Sequence, residues 1–198
     1  MSSQSLQYAS DVRGWRAPSR GMVGMLGLIA AESAIFTIFV VAYLYYTGTR
    51  VSHPSPREVL DIPIVATICL LSSSFFIWLA ERAIARGQVK IFTIFWAVTW
   101  LLGAIFIGYT ATEWYRLIHY DNFTVATNVF GTAYYSLVGL HASHVIVGLL
   151  LILVVLLFAL FGQVKFEHAE RIKLLAMYWH FVDVVWVVVF TVVYIVSR

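Results

Sequence analysis

The sequence predicts an all-α, polytopic membrane protein with five transmembrane helices, and three observations predict it. Of its 198 residues 61% are hydrophobic and 12% charged, about half the ~25% charged share of an ordinary soluble domain. The charged side chains fall in short clusters between long uncharged runs, each long enough for the ~20 residues that carry a helix across a bilayer. Those runs are continuous rather than alternating, which selects helices over a closed barrel as the way to satisfy the backbone in lipid. A water-soluble enzyme is disfavoured from the outset.

The first span, about residues 21–46, follows a polar tail, residues 1–20, that lacks the apolar core of a cleavable signal peptide. Gly21, Gly24 and Gly27, continuing to Ala30, Ala31 and Ala34, leave one side of this span without bulky side chains, so another backbone or a lipid tail can approach it. Ser52-His53-Pro54-Ser55-Pro56 then reads as an extended or turn-like loop, because proline fixes φ and disfavours helix before it. The second span, about 62–80, contains the lone Cys69, which excludes a disulfide framework, and Ser72-Ser73-Ser74, hydroxyls able to bond their own helix or a neighbour. No acid lies within that span to pair with a base, so no catalytic serine is expected. The third span, about 91–113, ends on Glu113. The fourth, about 131–161, exceeds a perpendicular crossing and must tilt or project beyond the hydrocarbon. With the fifth, about 174–196, these make residues 21–198 a single five-helix domain without internal repeat, phosphate-cradling loop or HExxH motif.

Basic residues set the orientation. Arg13, Arg16, Arg20, Arg82, Arg86, Lys90, Lys165, Arg171 and Lys173 fall on one side of the alternating spans, against Arg50, Arg57, Arg116 and Arg198 on the other. The positive-inside rule then places the N-terminus in the cytoplasm and the C-terminus outside. Aromatic anchors fit this layering, with Trp78, Trp96, Tyr178 and Trp179 toward the inner ends and Tyr45, Tyr46, Trp114, Tyr115, Tyr134 and Tyr194 toward the outer ends. The net charge of +3 is thereby a matter of topology, and no nucleic-acid partner is expected.

Polar groups in hydrocarbon are costly, so the few present mark candidate sites: Glu32, Glu113, His141, His144, His180 and Asp183. Glu32 lies about 16 Å along its helix at ~1.5 Å per residue, near the bilayer middle. It is either a proton-linked or ligand-linked site facing protein, or an acid hydrogen-bonded to a neighbouring helix. His141 and His144, three apart, share one helical face. They supply two metal ligands, or one side of a haem whose other ligand is His180, or they join helices by hydrogen bonds, as polar side chains commonly do in membranes. His180 and Asp183 repeat the one-face spacing near the inner end of the fifth span, as a local pair or with Asp183 accepting from another helix.

The string Tyr178-Trp179-His180-Phe181-Val182-Asp183-Val184-Val185-Trp186 resembles the YWHFVDxVW signature of the haem-copper oxidase subunit III family. Gly139-Leu140-His141-Ala142-Ser143-His144-Val145-Ile146-Val147-Gly148 is similar to its TGFHGLHVxxG segment, and Gly103-Ala104-Ile105-Phe106 with Glu113-Trp114 to its GxxFxxxQxxE pattern. Ala31-Glu32-Ser33-Ala34-Ile35-Phe36 resembles the region carrying the family's membrane-embedded glutamate, and Leu71-Ser72-Ser73-Ser74 the serine pair of the next helix. Matches occur in order in all five spans, with departures at Val138, Ala142 and Thr110, where the family commonly has Thr, Gly and Gln. The pattern is that of the short, five-helix bacterial form.

The resemblance implies an accessory, non-redox subunit of a proton-pumping terminal oxidase in the bacterial plasma membrane, serving aerobic respiratory electron transport and reduction of O2 to water. It implies no catalytic centre, haem or copper in this chain, those cofactors residing in partner subunits. Subunit I is the direct partner, with subunit II, other respiratory subunits and a quinol:cytochrome c reductase supercomplex as wider associations. Bound phospholipid in an apolar cleft, oxygen access and support of proton uptake are the implied roles. Glu32, His141, His144 and Glu113 become polar groups of that cavity, and His180 with Asp183 the inner-side pair to test for proton uptake. The alternatives are a haem-binding membrane cytochrome, a subunit associated with a quinol or nitric-oxide reductase, and, more weakly, a proton-coupled transporter using Glu32.

Overall fold

The computed structural model describes residues 19–49 and 59–196; most of the tail 1–20, the turn at 52–56, and Arg13, Arg16, Arg50, Arg57 and Arg198 lie outside the described residues. Five helices follow: α1 (Arg20–Thr49), α2 (Ile64–Ala85), α3 (Val89–His119), α4 (Val129–Leu160) and α5 (Ala169–Phe190), the last running on into a π-wound segment, Thr191–Val196. All five are long and apolar enough to cross a membrane, so the chain is an integral membrane protein.

Most helices outrun the apolar stretches that announce them. α2 continues through Glu81 and Arg82, α3 through Arg116, and α5 starts with Glu170, Arg171 and Lys173 already helical. The backbone keeps its internal hydrogen bonds into the interface while long charged side chains reach water, so charge ends an apolar run without ending a helix. The ends are set by local geometry. Gly87, at φ 72°, and Gly162, at φ 70°, supply the left-handed residue that closes α2 and α4. The amides of Gln88 and Gln163 bond back to the carbonyls of Ala83 and Phe158, at 3.0 and 2.9 Å. Asn128 caps α4, its Oδ1 accepting from the Gly131 amide at 2.7 Å.

α2 and α3 form an antiparallel hairpin, α3 packs on α4, α4 on α1, and α5 lies against α1, α2 and α4. The centre is the indole of Trp179, fully buried. A Cβ at Gly103 on α3 or at Gly148 on α4 would lie 2.8 Å from that ring, so both glycines are there to admit it. Trp179 Nε1 donates to Ser73 Oγ at 2.8 Å, which pins the ring to α2 as well.

Five residues read as interfacial anchors prove to be core. Trp96, Trp179, Tyr134 and Tyr194 are all but fully buried, and Tyr178 is buried with them. Trp96 Nε1 donates to the Ile152 carbonyl at 2.9 Å and Tyr134 and Tyr194 meet each other, so their polar tips find partners inside the bundle instead of at the lipid headgroups. α1 is the opposite case. Only 6% of its most apolar stretch is buried, against 50% for the fifth span. On the small-residue side of α1 a Cβ at Gly21 would meet the Leu174 side chain at 2.7 Å, but among the described residues one at Gly24 or Gly27 would have nothing within 4 Å.

Candidate functional site

Three separate polar sites result, each built by residues from two or more helices. The first joins α1 to α4. His144 Nδ1 lies 2.8 Å from the Leu140 carbonyl, and Nε2 lies 3.1 Å from Glu32 Oε2. A carbonyl only accepts, so Nδ1 carries a proton; the Nε2 contact then needs one further proton, on the imidazole or on the carboxyl. The pair is partly shielded, with side-chain exposures of 15% and 23%. It borders an apolar cleft of about 310 Å³ between α1, α4 and α5, lined also by Met25, Leu28, Val147, Leu151 and Tyr178. Tyr178 closes the corner, its hydroxyl donating to the His144 carbonyl at 3.2 Å. A second groove, about 250 Å³, continues between α1 and α5 along Phe36, Val40, Phe181 and Val185.

His141 does not join this site, a correction to its reading as a helix-joining or cavity group. One helical face is wide enough for two residues three apart to diverge. The His141 ring turns into the core, 1% exposed, stacked on Trp186 with centroids 5.0 Å apart and flanked edge-on by Phe106 and Phe36. Neither of its nitrogens has a hydrogen-bond partner among the described residues. The three histidines proposed as haem ligands therefore turn to three different neighbours, His144 to Glu32, His141 to Trp186 and His180 to Ser74. Among the described residues no three His, Cys, Asp or Glu side chains gather as a metal would require.

Glu113 also stands apart from Glu32. It sits near the far end of α3, where Tyr194, carried by the π-wound segment, donates to Glu113 Oε1 at 3.4 Å and lies 3.4 Å from the Tyr134 hydroxyl. A cleft of about 450 Å³ opens beside it, lined by Asp61, Tyr109, Thr112 and Arg116. Arg116 binds Asp61 there, which ties the start of α2 to the end of α3.

The third site holds His180 and Asp183. They do not bond each other; Ser74 of α2 stands between them, its hydroxyl 2.9 Å from His180 Nδ1 and donating to Asp183 Oδ2. Because the helix starts at Ala169 and runs on to Val196, the pair lies in its middle third, deeper than the apolar stretch suggests. Trp186 adds a further cross-link, Nε1 to Thr67 Oγ1 at 3.2 Å. The nine-residue string 178–186 is thus a zipper, its polar tips engaging Thr67, Ser73 and Ser74 of α2 and the His144 carbonyl of α4. Ser74 and Trp179 take central places in these contacts, Ser74 between His180 and Asp183 and Trp179 against Ser73, which the sequence reading did not foresee. The serine triplet and the motif were both visible, but nothing along the chain joins them. Two of the three departures from the family pattern are accommodated locally: Thr110 bonds back to the Phe106 carbonyl at 3.1 Å, and Val138 fills the core.

Comparison with known proteins agrees with this arrangement. Residues 20–198 match the family described as cytochrome c oxidase subunit III. The chain is 33% identical to cytochrome c oxidase subunit 3 of Alkalihalophilus pseudofirmus, over 92% of its own length and 91% of the relative's. It is 32% identical to the subunit of the same name from Thermostichus vulcanus, over 91% and 90%. It is 29% identical to quinol oxidase subunit 3 of Bacillus spizizenii, over 99% and 94%. The motifs that meet at Trp179 are those that carry the resemblance, and the chain belongs to the cytochrome c oxidase subunit III family, as a subunit III of a haem-copper terminal oxidase.

Proposed function

We propose that this chain is the non-catalytic subunit III that docks on subunit I of its oxidase and keeps a lipid-filled apolar cleft beside it. The relatives' names include both cytochrome c and quinol oxidases, and the reading takes the part they share. Haem and copper reside in the partner subunits, with subunit II, other respiratory subunits and a quinol:cytochrome c reductase supercomplex as wider associations. The chain sits in the bacterial plasma membrane as one five-helix domain, residues 21–198, with a cytoplasmic tail, 1–20, and its C-terminus outside. The observation that carries the reading is the way α1 is held: largely uncovered, it is tied to α4 by the partly shielded pair Glu32–His144, at the edge of an apolar cleft. Such a cleft suits acyl chains and an apolar route for O2, and the polar pair fixes its width without offering a metal site. Glu113, farther along the bundle, borders its own cleft and would serve the same lipid-contacting role there.

Glu32→Ala tests this. It removes an interhelical bond of about 1 kcal/mol, so the complex still assembles. Less phospholipid co-purifies, and activity decays faster during sustained turnover. Unchanged lipid content together with unchanged turnover decay contradicts the proposal.

A further inference from the structure

Three side chains on two helices form a continuous hydrogen-bonded chain inside the bundle. Ser74 on α2 links His180 and Asp183 on α5. Asp183 is 3% exposed, and its second oxygen, Oδ1, has no hydrogen-bond partner among the described residues. His180 is only partly buried, and Glu81 lies two turns beyond Ser74 on the same face of α2. Of the ionisable groups on the other helices packed against α5, Glu32 pairs with His144 and His141 stacks on Trp186. The hydrogen-bonded chain thus runs from the partly buried His180 through Ser74 to the enclosed Asp183.

A serine hydroxyl has one proton to give and lone pairs to accept with. When Ser74 donates to Asp183, its contact with His180 requires a proton on Nδ1. When Asp183 carries the proton, it donates to Ser74, and Ser74 donates to a bare Nδ1. A concerted shift converts the first arrangement into the second. The N–H bond at His180 Nδ1 breaks as an O–H forms on Ser74, while the original Ser74 O–H breaks as an O–H forms on Asp183 Oδ2. Starting from the imidazolium and the carboxylate, both charges vanish from the interior, and no other reactant is consumed.

We propose that His180, Ser74 and Asp183 form a proton relay that takes a proton at His180, from the Glu81 side, and stores it on Asp183. The transfer is a property of this chain; only the use of the stored proton rests on the subunit III reading. Helix-joining alone would be served by the same contacts, so the test must follow the proton. The assembled complex in lipid is switched from H2O to D2O under infrared detection, and the Asp183 carboxylic C=O band is identified by its loss in Asp183→Asn. In Ser74→Ala the band persists but its deuterium shift slows by roughly a hundredfold, the effect of losing a positioned proton-transfer group, and Ser74→Thr restores the rate. His180→Gln, which keeps a hydrogen-bonding side chain but cannot pass a proton, slows it likewise and stands in should Ser74→Ala not assemble. A wild-type rate in Ser74→Ala or in His180→Gln overturns the relay, as does the absence of any band that Asp183→Asn removes. The predicted pattern in the chain separated from the other oxidase subunits supports the relay as a property of this chain, and its failure leaves the subunit reading, tested by co-purification, untouched.

Discussion

α1 and α5 are both apolar enough to cross a membrane, yet one is a boundary and the other a hub. α5 buries half of its most apolar stretch and sends Tyr178, Trp179, His180, Asp183 and Trp186 into its neighbours. α1 buries 6% of its stretch and inserts only Phe36 and Tyr43 as fully enclosed rings. The difference teaches where each helix finds its partners. Lipid tails are as apolar as leucine, so hydrophobicity alone does not hold helices together there; packing and interhelical hydrogen bonds do. α5 satisfies both within the chain, whereas α1 leaves Gly24 and Gly27 facing open space and reaches inward through the Glu32–His144 link.

Substitutions that add volume separate the two most sharply. Gly148→Val forces a methyl-bearing Cβ against Trp179, which its bond to Ser73 prevents from moving aside. Unfolding in mixed micelles should show a loss of about 2–3 kcal/mol or more. Trp186→Phe comes next, since it removes the bond to Thr67 and part of the stack on His141; about 1–2 kcal/mol is expected by the same measurement. Thr67→Val removes the acceptor alone and should cost roughly 0.5–1 kcal/mol. The smallest effect is at Gly27→Val, which meets open space and should leave chain stability within about 0.5 kcal/mol. If α1 is the docking edge, that same variant lowers the yield of co-purified oxidase subunits. A Gly27→Val chain as unstable as Gly148→Val would erase the contrast between the two helices.

Much of this was legible in the sequence. The five spans follow from the spacing of charge, because a backbone in hydrocarbon has few ways to satisfy itself. The polar exceptions were visible for the same reason, and Glu32 does find a partner on another helix. Direction around a helix was not legible. His141 and His144 share a face by spacing, yet α3 and α5 crowd one while α1 faces the other. The aromatic residues near span ends divide similarly: Tyr45 and Tyr115 stay exposed, while Tyr134 and Tyr194 are buried because α3, α4 and the end of α5 converge there. The role of Ser74 depends on a contact between residues more than a hundred positions apart, which no local pattern encodes.

The most direct test of the account is to purify the tagged chain from membranes in mild detergent, identify what accompanies it by mass spectrometry, and record visible spectra before and after separating the subunits. The account predicts oxidase subunits I and II in the preparation, haem absorbance in the intact complex, and none remaining with this chain once separated. A Soret band that stays with the isolated chain and disappears on mutating His141, His144 or His180 would contradict it.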